Sequence, residues 1–79
     1  MTEAITITHS TPADVQNVWR LALLDDRRAP AGPALLAYVD GELRAAVGLV
    51  DGQVIADPFH PTAELVEILR FQARQEVAA

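Results

Sequence analysis

The chain has 79 residues, 51% of them hydrophobic, with six arginines, no lysine, no cysteine and a formal net charge of −5. That length allows one domain, residues 1–79, which buries roughly 60–65% of its unfolded surface and folds with little margin. The composition excludes disorder, disulfide or thiolate-metal bracing and the basic face of a nucleic-acid binder, and no apolar run reaches the ~18–20 residues that span a bilayer.

The opening "MTEAITITHS" lacks the basic start and apolar stretch of a secretory signal, so a cytoplasmic location is expected. Arginine without lysine, beside abundant alanine, points to a GC-rich bacterial genome. In "AITITH" (4–9), Ile5 and Ile7 alternate with Thr6 and Thr8, which predicts a short strand. "STPAD" then offers Thr11 as a helix N-cap, Pro12 at the first helical position and Asp14 three residues after the cap. Val15, Val18, Trp19 and Ala22 follow at helical spacing and are expected to form the buried stripe. Leu21 and Leu24 fall off that stripe, so the helix carries more apolar surface than one face needs.

"DDRRAPAGP" (25–33) breaks the helix and reads as a loop with room for one helical turn. "ALLAYV" (34–39) is the second strand. Asp40-Gly41 favours a type I′ hairpin turn, because both central residues must take positive φ. "ELRAAVGLV" (42–50) returns as the third strand, Asp51-Gly52 starts another tight turn, and "QVIA" (53–56) is the fourth strand. A helix is expected from about Thr62 to about Glu76, with Thr62 as N-cap and Glu64 answering the helix dipole. Leu65, Ile68, Leu69 and Ala73 share one of its faces, Val66 lies at the margin, and Phe71 falls on the polar flank. The order is β-α-β-β-β-α. Tight turns make sequential strands antiparallel neighbours, so the expected class is α+β, an antiparallel-rich four-stranded sheet with two helices.

"ITITHSTPADVQNVWRLALLD" resembles the first strand and helix of the GCN5-related N-acetyltransferase (GNAT) family. "LLAYVDGELRAAVGLVDGQVIADP" resembles that family's central hairpin and next strand, with Leu36-Ala37-Tyr38-Val39-Asp40-Gly41 carrying the match. The resemblance covers nearly the whole chain and corresponds to the N-terminal half of the family fold, a GNAT-like half domain. It implies a loop after the fourth strand, Q/R-x-x-G-x-G/A, whose backbone N–H groups cradle the acetyl-CoA pyrophosphate at a helix N-terminus. Here that place holds "DPFHPTAEL", and no glycine occurs from Gln53 to Ala79. Pro61 removes a backbone donor, and Glu64 sets a carboxylate where the pyrophosphate would lie. Like charges 4–6 Å apart cost roughly 3–4 kcal/mol at an effective dielectric near 20. The family's fifth strand and following helix have no counterpart in the sequence. The expectation is therefore a catalytically inactive interaction or ligand-binding module with no cofactor. The alternative is an acetyl-CoA-dependent N-acetyltransferase whose cleft is completed by dimerisation or a partner chain.

Other candidate sites are weak. Asp57 and His60, three residues apart, join His9 as conceivable metal or acid–base groups, but as turn and strand-end residues they have a plainer role and no metal is assigned. Ser10, the single serine, has no nucleophile-elbow sequence around it. Arg27 and Arg28 form the one basic pair, able to hold an anion or simply to answer Asp25 and Asp26. Tyr38 suits a strand, and Trp19 suits a core or an interface better than a cofactor platform. The fourth strand, without the later strands of the family, should leave an unpaired edge. With surplus apolar residues on both helices, this predicts a homodimer, or a protein partner, meeting Val54, Ile55, Leu21, Leu24 and Phe71. Neither nucleic acid nor a membrane is an expected partner.

Overall fold

The computed structural model describes the backbone of residues 4–78 and the side chains of residues 4–76. The elements run β1 (Ile5–His9), a 3₁₀ turn (Pro12–Asp14), α1 (Val15–Leu24), β2 (Ala34–Val39), β3 (Glu42–Gly48), β4 (Val54–Ala56) and α2 (Ala63–Ala78). The four strands form one antiparallel sheet in the order β1-β2-β3-β4. The fold is the expected α+β arrangement, β-α-β-β-β-α. No helix among the described residues is long and apolar enough to cross a membrane.

Strand alternation divides the core into two halves. Leu35, Ala37 and Val39 of β2, with Ala45 and Val47 of β3, point to one face and pack beneath Leu65, Leu69 and Ala73 of α2. Ala34 and Leu36 of β2, Ala46 of β3 and Ile55 of β4 point to the other and pack beneath Leu21 and Ala22 of α1. The sheet is thus sandwiched between the helices, and the small alanines at its centre let both lie close.

The β2–β3 turn is as expected: Asp40 and Gly41 have φ of +51° and +84°. The second Asp-Gly differs. Only Gly52 has positive φ, at +68°, and the turn is longer than two residues: β3 ends at Gly48 and β4 starts at Val54, with the Gly48 N–H donating to the Gln53 carbonyl at 2.9 Å. Asp51 Oδ1 accepts the Gln53 N–H at 3.0 Å and its Oδ2 accepts the Ala31 N–H at 3.0 Å, tying the turn to the 25–33 loop. That loop contains no helical turn.

β3 carries a bulge that its sequence does not announce. Ala37 faces Ala45 but Tyr38 faces Leu43, so Arg44 is the extra residue. On its other side Arg44 lies opposite Asp57, the residue after β4, whose N–H donates to the Arg44 carbonyl at 2.8 Å.

The buried stripe of α1 is rotated from the expected one. Leu21 and Ala22 are buried and Val18 is half-buried, whereas Val15 and Trp19 are 51% and 60% exposed. Polar tethers at both ends set this rotation. The Tyr38 hydroxyl donates to Asp14 Oδ1 at 2.7 Å, and the Ala56 N–H donates to Asp25 Oδ2 at 3.0 Å. Asp14, Val18, Leu21, Ala22 and Asp25 therefore face the sheet. Thr11 is the N-cap of the 3₁₀ turn that leads into α1, as expected, and Asp14 closes the capping box: its Oδ2 accepts the Thr11 N–H at 2.8 Å and the Thr11 Oγ1–H at 3.1 Å.

Candidate functional site

The rotation of α1 turns a second apolar stripe outward: Val15, Trp19 and Leu23, at i, i+4 and i+8, with Leu23 78% exposed. Beside it runs the 25–33 loop. Together they bound a groove of about 480 Å³ whose wall and floor include Val18, Ala22, Ala29 and Pro30. Its volume lies in the range of small-molecule sites, and its composition, a tryptophan and arginines around aliphatic surface, is that of interaction hot spots.

Arg27, Arg28 and Asp14 are among its lining residues, the Asp14 carboxylate turned to the Tyr38 hydroxyl and to Thr11. Arg27 Nε stands 3.3 Å from Asp25 Oδ2 with its side chain mostly in solvent. Hydrogen bonds from Tyr38, then from the Thr11 backbone, hold the Asp14 carboxyl below its usual range. Burial, and then the Asp14 carboxylate, raise the Tyr38 hydroxyl above its own. Tyr38 thus anchors a helix to the sheet and is no open ligand contact. Ser10 Oγ accepts the Ala34 N–H at 2.9 Å, so it is a backbone partner.

The corner after β4 is built around Asp57, which is 5% exposed. Its Oδ1 accepts the Phe59 N–H at 2.8 Å and its Oδ2 accepts from Arg44 Nη1 at 2.6 Å. The Phe59 hydrogen bond, and then Arg44, lower its carboxyl against the opposing effect of burial. The His60 N–H closes a turn onto the Asp57 carbonyl at 3.3 Å. Thr62 takes the N-cap position of α2, its carbonyl accepting the Val66 N–H at 2.9 Å. Asp57 and His60 therefore belong to a turn, while His9 Nε2 lies 2.6 Å from Glu76 Oε1 and joins β1 to α2. Among the described residues no three His, Asp or Glu side chains converge as a metal-holding group.

The expected interface residues scatter. Leu21 and Ile55 are core residues, 3% and 0% exposed, so their side chains present nothing to a partner. Val54 is half-buried against the α2 half of the core. Leu24 and Phe71 are exposed but lie on helices covering opposite faces of the sheet. The β4 edge is not open in the expected way. The outward N–H of Ala56 is taken by Asp25, and Gln53 Nε2 donates to the Arg28 carbonyl at 2.8 Å, so the 25–33 loop runs along that edge. Ile5, Ile7 and His9 turn their backbones away from β2, and among the described residues no strand pairs with that outer side of β1.

Val15 and Leu23 are the site residues missed by reasoning from sequence. Their signal is the i, i+4, i+8 spacing around Trp19, masked by the equally apolar stripe beside it. The chain matches no protein-family model, no curated protein and no solved structure.

Proposed function

We propose that this chain is a catalytically inactive, GNAT-like interaction module that works as a homodimer, with the α1 groove as its docking surface. The observation that carries the reading is the outward stripe Val15-Trp19-Leu23, a tryptophan 60% exposed between two exposed aliphatics on one helix face. A chain with a small core has every reason to bury its single tryptophan. Leaving it on a groove wall suits a surface that is covered by a partner.

The corner at residues 57–62 supports the inactive half of the reading. A pyrophosphate-binding turn needs backbone N–H groups free for the ligand. Here the Phe59 N–H is held by the chain's own Asp57 carboxylate, Pro61 has no N–H, and Glu64 brings negative charge into the first turn of α2. Titration calorimetry with acetyl-CoA and with CoA, together with light scattering of the free protein, tests both halves. Expected are no binding heat and a mass twice the 8.5 kDa of one chain. Micromolar acetyl-CoA binding contradicts the inactive corner, and a strict monomer contradicts the homodimer.

A further inference from the structure

We propose that the hollow between the C-terminal half of α2 and the β3–β4 turn binds a small organic oxyanion, an apolar body with a carboxylate or phosphate head, held by Arg70 and Arg74. The proposal is independent of the α1 docking surface, which lies on the other face of the sheet. It is also separate from the 57–62 corner, which lies at the opposite end of β4 from this turn.

The apolar part comes from the turn. β3 ends at Gly48, and two more apolar residues follow before the chain turns toward β4. Leu49 packs half-buried against the α2 half of the core, and Val50 is 75% exposed. Val47 and Ala73 join them in lining a hollow of about 700 Å³, a volume in the range of small-molecule sites.

The charged part comes from the helix. Arg70 and Arg74 line the same hollow, one turn apart on α2 and both exposed. Among the described residues neither forms an ion pair, whereas Arg27 and Arg44 are paired with Asp25 and Asp57. Glu67, three residues before Arg70, is the ready partner on a helix surface and is not used. Asp51 is the one acid in the lining, and its carboxylate is engaged elsewhere. Its oxygens accept the Gln53 and Ala31 N–H groups, and the cation that favours its charge is Arg28 of the 25–33 loop. In a chain of net charge −5, two adjacent guanidiniums without an acid are an exception.

A guanidinium fork matches the oxygens of a carboxylate or phosphate, and two forks one turn apart grip one head group together. The two full positive charges outweigh the roughly half negative charge at the C-terminal end of α2. Exposed charge alone holds an anion weakly in water, so the apolar body on Leu49 and Val50 supplies the rest of the affinity.

Isotope-labelled protein is titrated with octanoate, octyl phosphate and 1-octanol, and its amide and arginine Nε–H resonances are followed. The same titrations are run on the Arg70→Gln/Arg74→Gln double variant, with circular dichroism to confirm its fold. Expected are shifts at Leu49, Val50, Ala73 and the two Nε–H groups with both anions, and binding at least about tenfold weaker for 1-octanol. The double variant loses about the same factor for the anions and nothing for 1-octanol, and the tighter anion identifies the head group. Equal affinity for 1-octanol and the anions, an unaltered double variant, or shifts absent from this face overturn the site. Association through Trp19 is read on the protein without these ligands, so either reading fails without the other.

Discussion

Asp57 shows how a single residue can fix a corner. It is nearly buried, it accepts a backbone N–H and a guanidinium, and its carboxyl sits below the ordinary range. Because the folded protein binds that proton less readily than the unfolded chain, the stabilisation is complete above about pH 4 and is lost as pH falls through the folded value. Asp57→Asn is expected to lower stability at pH 7 by about 1.5–3 kcal/mol, the worth of a charged hydrogen bond, and to shrink this difference below pH 3. Urea unfolding of both proteins at the two pH values measures it; an equal loss at both contradicts the ionised role. Gly48 makes a second, steric point. A methyl there would run into Asp51 Oδ1 and stand 3.0 Å from Pro30 Cβ, where the 48–53 turn and the 25–33 loop are drawn together. Gly48→Ala is expected to cost about 1–3 kcal/mol in thermal or urea unfolding through this overpacking, although the backbone φ of residue 48 is ordinary.

The helix α1 is the element on which the functional reading turns, because its rotation decides which apolar stripe faces the core. Its two acidic tethers are far apart in sequence from their partners, Tyr38 and Ala56. Asp25→Ala leaves the Ala56 N–H without its charged acceptor, with an expected loss of about 1–3 kcal/mol and faster amide exchange at Ala56. Unchanged exchange at Ala56 would show that the edge is sealed some other way. The strands were legible from period-two alternation and the Asp40-Gly41 turn, since both are local signals. The buried stripe was not, because Val15 and Trp19 are as apolar as Leu21 and periodicity alone cannot rank two adjacent stripes. A stripe of Asp14, Val18, Leu21, Ala22 and Asp25 looks worse by hydropathy and wins because its acids find partners on the sheet. The bulge at Arg44 and the sealing of β4 by Asp25 were equally hidden, since each depends on which distant residue lies opposite.

At the scale of the whole molecule, two helices flank one thin, alanine-rich sheet, and apolar surface that a larger core would absorb stays exposed on both, at Val15, Trp19 and Leu23 of α1 and at Ile68 and Phe71 of α2. The homodimer expected from the β4 edge keeps its place as a proposal but moves to the opposite rim of the 25–33 loop, to Val15, Trp19 and Leu23. A tryptophan at the centre of such an interface typically carries at least about 2 kcal/mol, which is roughly a 30-fold change in the dissociation constant. The most direct measurement is sedimentation equilibrium of the unaltered protein beside Trp19→Ser, with circular dichroism to confirm that both fold. Expected is a dimer for the unaltered chain, with the variant shifted roughly 30-fold or more toward 8.5 kDa monomer. Equal masses for the two proteins at every concentration contradict the α1 docking surface.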